Sequence, residues 1–182
     1  GEAPSTPGTV VLSPEKVQMV GVRTVKVELA PMQQSLRASG SIAIDATGDG
    51  IQAATSLTIN GGAVDIQNCD EGLESTSVVV NGGRIVINSA DDGINASDST
   101  TAAAGGSASS SACQLAINGG TLIITAGGDG IDSNGSLAIT GGVVLVSTAS
   151  NGNGALDYDS TGTITGGIVI AADTGSMSEN FT

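Results

Sequence analysis

One phrase recurs about every 21 residues and constrains the fold more than anything else in the chain: an alternating apolar run, a Gly-Gly pair, a second alternating run and an acidic turn. It reads Ser56-Leu-Thr-Ile-Asn-Gly-Gly-Ala-Val-Asp-Ile-Gln67 followed by Asp70-Glu-Gly-Leu-Glu74, then Ser77-Val-Val-Val-Asn-Gly-Gly-Arg-Ile-Val-Ile-Asn88 followed by Asp91-Asp-Gly-Ile-Asn95. It returns from Gln114 to Thr125 with Gly128-Asp-Gly-Ile-Asp132, from Ser136 to Ser147, and in degraded form through Thr165-Gly-Gly167. Repeats of this length point to a solenoid, in which no unit buries its own apolar face and stacking makes the core.

The spacing inside each unit says which solenoid. Leu57, Ile59, Val64, Ile66 and Leu73 occupy alternate positions of two short runs, as do Val78, Val80, Ile85, Ile87 and Ile94, and then Leu115, Ile117, Leu122, Ile124 and Ile131. That is the two-residue period of strands with one buried face, not the 3.6 of a helix. Two strands joined by Asn-Gly-Gly also suit a type I′ hairpin. Recurrence of the same side-chain types at the same register favours an all-β, parallel β-helix with one rung per 21 residues, the rungs about 4.8 Å apart. The expected division is an N-terminal arm or cap over residues 1–46, with a short helix and strands, and a β-helix over 47–182.

Charge divides the chain in the same way. Residues 1–40 carry four bases against three acids, whereas residues 41–182 carry fifteen acids against Arg84 alone. An acidic solenoid excludes nucleic acid as a direct partner, because phosphate binding needs Lys and Arg to release counterions. No run of 18 apolar residues spans a membrane. The chain opens at Gly1 without an apolar signal core, which with the Lys-poor, Ser/Thr-rich composition suggests a processed, exported form at the cell surface or outside the cell.

Within the arm, Ser13-Pro14-Glu15 supplies an N-cap, a first-turn proline and an acid, predicting a two-turn helix that stops at Gly21. Val25, Val27 and Leu29 alternate with polar residues as an amphipathic strand would. Leu12-Ser-Pro-Glu-Lys16, Gly21-Val-Arg-Thr24 and Leu36-Arg-Ala-Ser-Gly-Ser41 resemble the opening of periplasmic adaptor subunits of heavy-metal efflux pumps. The resemblance covers residues 10–46, and the hairpin and lipoyl segments of such adaptors are absent, so it implies no pump function.

The acidic turns carry the chemistry. Stacking by register brings Asp49, Asp70 with Glu71, Asp91 with Asp92, and Asp129 onto one edge, with Glu74, Asn95, Asp132 and Asp157 a few residues further along the same turns. Like charges about 4.8 Å apart repel by roughly 1 kcal/mol in water and about 3 to 4 kcal/mol at an effective dielectric of 20. Bridging cations remove that cost, and carboxylates, Asn side chains and Gly carbonyls are the hard oxygen donors that Ca²⁺ takes in sets of six to eight. The candidate ligands are Asp49, Asp70, Glu71, Glu74, Asp91, Asp92, Asp129, Asp132, Asp157 and Asp159; the alternative is that the acids splay into solvent.

Gly48-Asp-Gly-Ile51, Glu71-Gly-Leu-Glu-Ser75, Asp91-Asp-Gly-Ile-Asn95, Gly128-Asp-Gly-Ile131 and Gly152-Asn-Gly-Ala-Leu-Asp-Tyr-Asp159 resemble a family of secreted carbohydrate-binding domain proteins with a pectate-lyase-like β-helix. The resemblance runs from residue 47 to the end. It implies a right-handed β-helix, bound Ca²⁺ and adhesion to acidic or cellulosic polysaccharide.

Catalysis has little support in the sequence. Uronate cleavage beside calcium needs an Arg or Lys base, yet the solenoid offers only Arg84, and the chain has no His. Tyr158 and Phe181 are the only aromatics, so a glycan would be held through calcium and hydrogen bonds, which favours a uronate-rich polymer. The expected function is therefore non-catalytic binding of acidic polysaccharide.

The alternative is a subunit of a self-assembling extracellular fibre. The outward positions of the second strand become apolar toward the C-terminus, ending in Val143, Leu145, Ile168 and Ile170, and a soluble monomer seldom leaves such a stripe bare. The arm strand at Val25, Val27 and Leu29 is the expected cover, within a subunit or on a neighbour. Residues 98–112, almost all Ser, Thr, Ala and Gly, form an insertion loop. Cys69 and Cys113 flank that region and are expected to pair as a disulfide in an exported protein, with two free buried thiols as the alternative.

Overall fold

A computed structural model describes residues 34–36, 40–98, 111–148, 152–175 and 179–182. The chain divides between Pro31 and Met32, and all of the described residues belong to the second unit. Of the arm expected over residues 1–46, only 34–36 and 40–46 are among the described residues. β1 (Gln34–Leu36) and β2 (Ser41–Asp45) are already rung strands, β1 pairing with Leu57–Ile59 and β2 with Ala63–Gln67. The helix expected at Pro14–Val20 and the strand at Val25–Leu29 lie outside the described residues.

From β2 the chain runs through β3 (Ile51–Ile59), β4 (Ala63–Cys69), β5 (Leu73–Val80), β6 (Arg84–Ser89), β7 (Ile94–Ala96), β8 (Gln114–Ile117) and β9 (Thr121–Ala126). It continues through β10 (Ile131–Ser133), β11 (Ser136–Ile139), β12 (Val143–Thr148), β13 (Thr161–Ile164) and β14 (Ile168–Ala172). One sheet has the order β14-β12-β9-β6-β4-β2; the other has β1-β3-β5-β8-β11-β13, with β7 and β10 paired to each other and β7 also to β5. Every one of these pairings is parallel. That excludes the hairpin and makes the chain a parallel β-solenoid of about five turns.

The Gly-Gly pairs show why the coil needs them. The second glycine of each, at Gly62, Gly83, Gly120, Gly142 and Gly167, sits at φ between 86° and 101°, a left-handed region that glycine enters without a Cβ penalty. The residue before each pair is equally regular: Asn81 Nδ2 donates to Asn60 Oδ1, Asn118 Nδ2 to Asn81 Oδ1, and Thr140 Oγ1 to Asn118 Oδ1, each at 2.8 Å. This ladder ties successive rungs at the corner, each bond contributing about 1 kcal/mol.

All fifteen apolar positions that the period assigned to the interior are buried, among them Ile66, Leu73, Ile85, Ile94, Ile117 and Ile131 at 0 % exposure. Each such side chain stabilises by about 1.5 to 3 kcal/mol. At the far end Tyr158 and Phe181 meet edge to face with centroids 5.2 Å apart, the Tyr158 hydroxyl donates to the Asn180 carbonyl, and the Thr182 N–H donates to the Gly162 carbonyl. The two aromatics are therefore packed against each other at the end of the stack.

Cys69 carries a free thiol rather than the bond to Cys113 expected from sequence. It ends β4 in one sheet, with its Sγ 3.7 Å from the Asn88 carbonyl oxygen, while Cys113 precedes β8 in the other. Burial is the main cause that raises the Cys69 pKa, and thiolate is the reactive form. Cys69 should therefore resist iodoacetamide in the native protein and react on unfolding without reductant, as read by peptide mass mapping. Labelling only after reduction would restore the bond.

The outward stripe is present on the six-stranded sheet. Val143 pairs with Ile168 and Leu145 with Ile170; the first members are half-buried, whereas Ile168 and Ile170 on the edge strand β14 are 58 % and 59 % exposed.

Candidate metal centre

Each acidic turn leaves the six-stranded sheet and enters the short segment that begins the next strand. Gly72 N–H donates to the Asp92 carbonyl, Gly93 N–H to Asp129 and Gly130 N–H to Gly154. These bonds, with that from the Gly50 N–H to the Glu71 carbonyl, stack Asp49, Glu71, Asp92 and Asp129 in one column. Three residues on, the register Gln52↔Glu74↔Asn95↔Asp132 makes a second column, extended to Asp157 through the bridge Ile131↔Leu156.

A glycine follows each acid of the first column because nothing larger fits. A Cβ on Gly93 would lie 2.3 Å from Ile124 Cγ2, and one on Gly130 would lie 2.0 Å from Val146 Cγ1. The turn is drawn tight against the core, and the acid beside each glycine is drawn in with it.

Two groups of carboxylates result. Asp49, Glu71 and Glu74 form one and Asp129, Asp132 and Asp157 the other, the oxygens of each lying within 4.8 Å of one another. Asp92 stands between them, its Oδ1 accepting the Asp129 N–H at 2.7 Å. Asn95 Nδ2 donates to Glu71 Oε1 at 3.0 Å. That leaves Glu71 Oε2 and Asn95 Oδ1 buried with no hydrogen-bond partner. Lone pairs stranded in this way are hard donors in want of a cation or a proton.

The electrostatics agree. Burial, reinforced by neighbouring carboxylates, pushes Glu71 and Asp92 up to about 7 and Asp132 up to about 8. Burial also raises Asp49, together with its contact to Glu74, and raises Asp129 along with the charges of Asp157 and Asp91. Carboxyls this far from water hold protons unless a cation supplies compensating charge. These clusters could hold a metal ion.

The ten acids named from sequence do not contribute alike. The structure gathers Asp49, Glu71, Glu74, Asp129, Asp132 and Asp157 into the two groups, with Asp92 between. Asp70 and Asp91, first members of their pairs, are exposed and belong to neither. Asp159 is also exposed, although its charge reaches Asp132. The unsatisfied amide oxygen of Asn95 lies outside the ligand set expected from sequence; its place in the Glu74–Asp132 column is the signal that points to it.

Residues 35–114 match the family model of carbohydrate-binding domain-containing proteins. The match begins at β1, spans the first carboxylate group and Asp92, and ends at β8. Neither a curated protein nor a solved structure matches the chain. The efflux-adaptor resemblance finds no support, and its Leu36–Ser41 segment falls inside the matched residues.

Proposed function

We propose that this chain is a non-catalytic, calcium-loaded β-helix that binds acidic polysaccharide at the cell surface or in the extracellular matrix. The observation that carries the reading is the pair of stacked carboxylate groups, with the buried oxygens of Glu71 and Asn95 left unsatisfied beside them. Their all-oxygen donor set suits Ca²⁺ better than softer metals. The match to carbohydrate-binding domain-containing proteins supplies the ligand class. Anionic sugar follows from a site of calcium and oxygen donors whose protein has spent both aromatics on packing. The coil is taken as right-handed, the sense that parallel strand–crossover–strand connections adopt.

A non-catalytic role is supported by the position of Arg84. It opens β6, whereas the acidic turn follows Ser89 at the other end of the strand, about 17 Å away at the rise of an extended chain. Among the described residues, no arginine stands beside the candidate calcium sites.

The test is co-sedimentation with insoluble polygalacturonate and with cellulose. Binding to the uronate polymer in millimolar Ca²⁺, lost in chelator, is expected. Retention on cellulose alone, or retention indifferent to chelator, would overturn the reading. A second reading, assembly into fibres, is favoured by exposed Ile168 and Ile170 on the edge strand β14. Electron microscopy of the purified protein decides it, dispersed monomers at high concentration arguing against it.

A further inference from the structure

Five Asn-Gly pairs lie among the described residues, beginning at Asn60, Asn81, Asn118, Asn134 and Asn153. Such a pair can modify itself. The glycine nitrogen, with no Cβ on its own residue to hinder it, attacks the asparagine Cγ, and the ring that forms expels the side-chain amide as ammonia. Water then opens the cyclic imide at one carbonyl to aspartate or at the other to isoaspartate. The reaction asks three things of a structure: a glycine nitrogen free to attack, an amide oxygen stabilised as charge gathers on it, and an amide nitrogen free to leave.

The five pairs differ on these points. Gly135 N–H donates to Ser133 Oγ at 3.3 Å and Gly154 N–H to Asp129 Oδ1 at 2.5 Å, so both of those nitrogens are engaged. The N–H groups of Gly61, Gly82 and Gly119 donate to nothing among the described residues. The chemistry therefore falls on the corner ladder, and the ladder has a direction. Each amide oxygen accepts from the rung that follows, Asn60 from Asn81, Asn81 from Asn118 and Asn118 from Thr140. The Nδ2 groups of Asn81 and Asn118 are spent on the rung before, whereas Asn60 Nδ2, at the head of the ladder, donates to nothing among the described residues.

Of the three, only Asn60 thus combines a hydrogen-bonded carbonyl with an unbound leaving group. A donor placed where an oxygen gathers negative charge stabilises the tetrahedral state, as in an oxyanion hole. Loss of ammonia from Asn81 or Asn118 must first break a ladder bond. Space points the same way. A Cβ on Gly61 would meet nothing within 4 Å, whereas one on Gly82 would lie 3.3 Å from the Asn60 carbonyl oxygen and one on Gly119 2.8 Å from that of Asn81. The Gly61 peptide has room to turn toward its neighbour's side chain, and the other two lie against the rung before.

We propose that Asn60-Gly61 is a site of spontaneous covalent modification, activated by the Asn81 Nδ2 donor, while the ladder shields the same pair at Asn81 and Asn118. Neither calcium nor sugar takes part. Either product adds a negative charge at the corner. Aspartate goes on accepting from Asn81 through a stronger, charge-assisted bond. Isoaspartate lengthens the backbone by one carbon just before Gly61 and Gly62, and the Gly62 carbonyl holds the Arg84 N–H at 2.8 Å.

The test keeps the full chain at pH 9 and 37 °C and follows each Asn-Gly peptide by mass spectrometry, with isoaspartate separated by chromatography. In the folded protein Asn60 should convert at least fivefold faster than Asn81 or Asn118, and in urea the three rates should converge. Asn81→Ala should slow Asn60 three- to tenfold, the worth of one neutral hydrogen bond, and should speed Asn118, whose Nδ2 it releases. Asn81→Asp keeps the shape of the corner and the acceptor for Asn118, so it should slow Asn60 and leave Asn118 unchanged.

Opposite shifts at Asn60 and Asn118 in Asn81→Ala support the proposal, since a corner that merely loosened would speed both. Unchanged or faster conversion of Asn60 in the two variants would overturn it. So would equal rates at the three ladder pairs in the folded chain, or an Asn60 that stays intact over the time in which the unfolded chain converts.

Discussion

Millimolar Ca²⁺ should raise the melting temperature of this protein by about 10 to 20 °C at pH 8. A ligand that binds only the folded state stabilises it by RT ln(1 + [L]/Kd), about 2.7 kcal/mol per site at a hundredfold excess over Kd. Two carboxylate groups give two such contributions, and a unit of this size gains about 2 to 4 °C per kcal/mol. Glu71→Gln should remove the share of the first group and Asp132→Asn that of the second, while Asp91→Asn, on an exposed side chain, should change little.

The pH dependence fixes the sign. Folding raises Glu71 and Asp92 to about 7 and Asp132 to about 8, so the metal-free native state binds protons that the unfolded chain has already released. The stability present below the ordinary carboxylate range is lost as pH climbs through those raised values. Metal-free protein should therefore melt higher at pH 5 than at pH 9. Calcium replaces the protons, so its gain should grow over the same interval and its binding should release protons into the buffer. Calorimetric melts at pH 5, 7, 8 and 9, with Ca²⁺ and with chelator, measure this. Curves that coincide at pH 8 would end the metal proposal.

Gly93→Ala should be among the most damaging single substitutions in the solenoid. Its added methyl would meet Ile124 Cγ2 at 2.3 Å and the Gly130 carbonyl oxygen at 2.4 Å. The first is a buried core atom and the second is backbone of the next rung, so neither yields without spreading two turns. Overpacking costs about 1 to 3 kcal/mol where the core can adjust and more where it cannot. We expect a loss of at least 3 kcal/mol in urea unfolding, or failure to fold. Gly48→Ala is the control: a Cβ there has nothing within 4 Å, so the change should stay within about 0.5 kcal/mol. Equal stability of the two variants would show that the turns are looser than the packing implies.

The interior was legible because a two-residue period repeated over several units leaves one register that buries every apolar position. Leu57, Ile66, Ile87 and Leu122 followed from that alone. Where the coil begins was not legible, since β1 lies one rung before the first complete phrase and has no Gly-Gly pair of its own. The acids were legible as a column but not as individuals. Asp91 and Asp92 are identical as letters, and only the tight turn at Gly93 decides which faces inward and which faces water. The cysteine pairing failed because proximity in a solenoid depends on which corner a residue occupies, and sequence separation does not carry that. The asparagine ladder was not legible either, although Asn60, Asn81 and Asn118 each precede a Gly-Gly pair. Their side chains meet only once the rungs are known to be parallel.

The insertion after β7 has a consequence for what the scaffold tolerates. Successive rungs are elsewhere about 21 residues apart, but Ser77 pairs with Gln114 and Val80 with Ile117, and β10 still pairs with β7. The stack thus resumes its register across residues 98–112 as though they had not intervened. Extra chain length at such a corner costs only the slow logarithm of loop closure. The break between β7 and β8 is accordingly a natural port for foreign sequence: an epitope, an affinity handle or a second binding module spliced there would leave the rungs on either side pairing with each other.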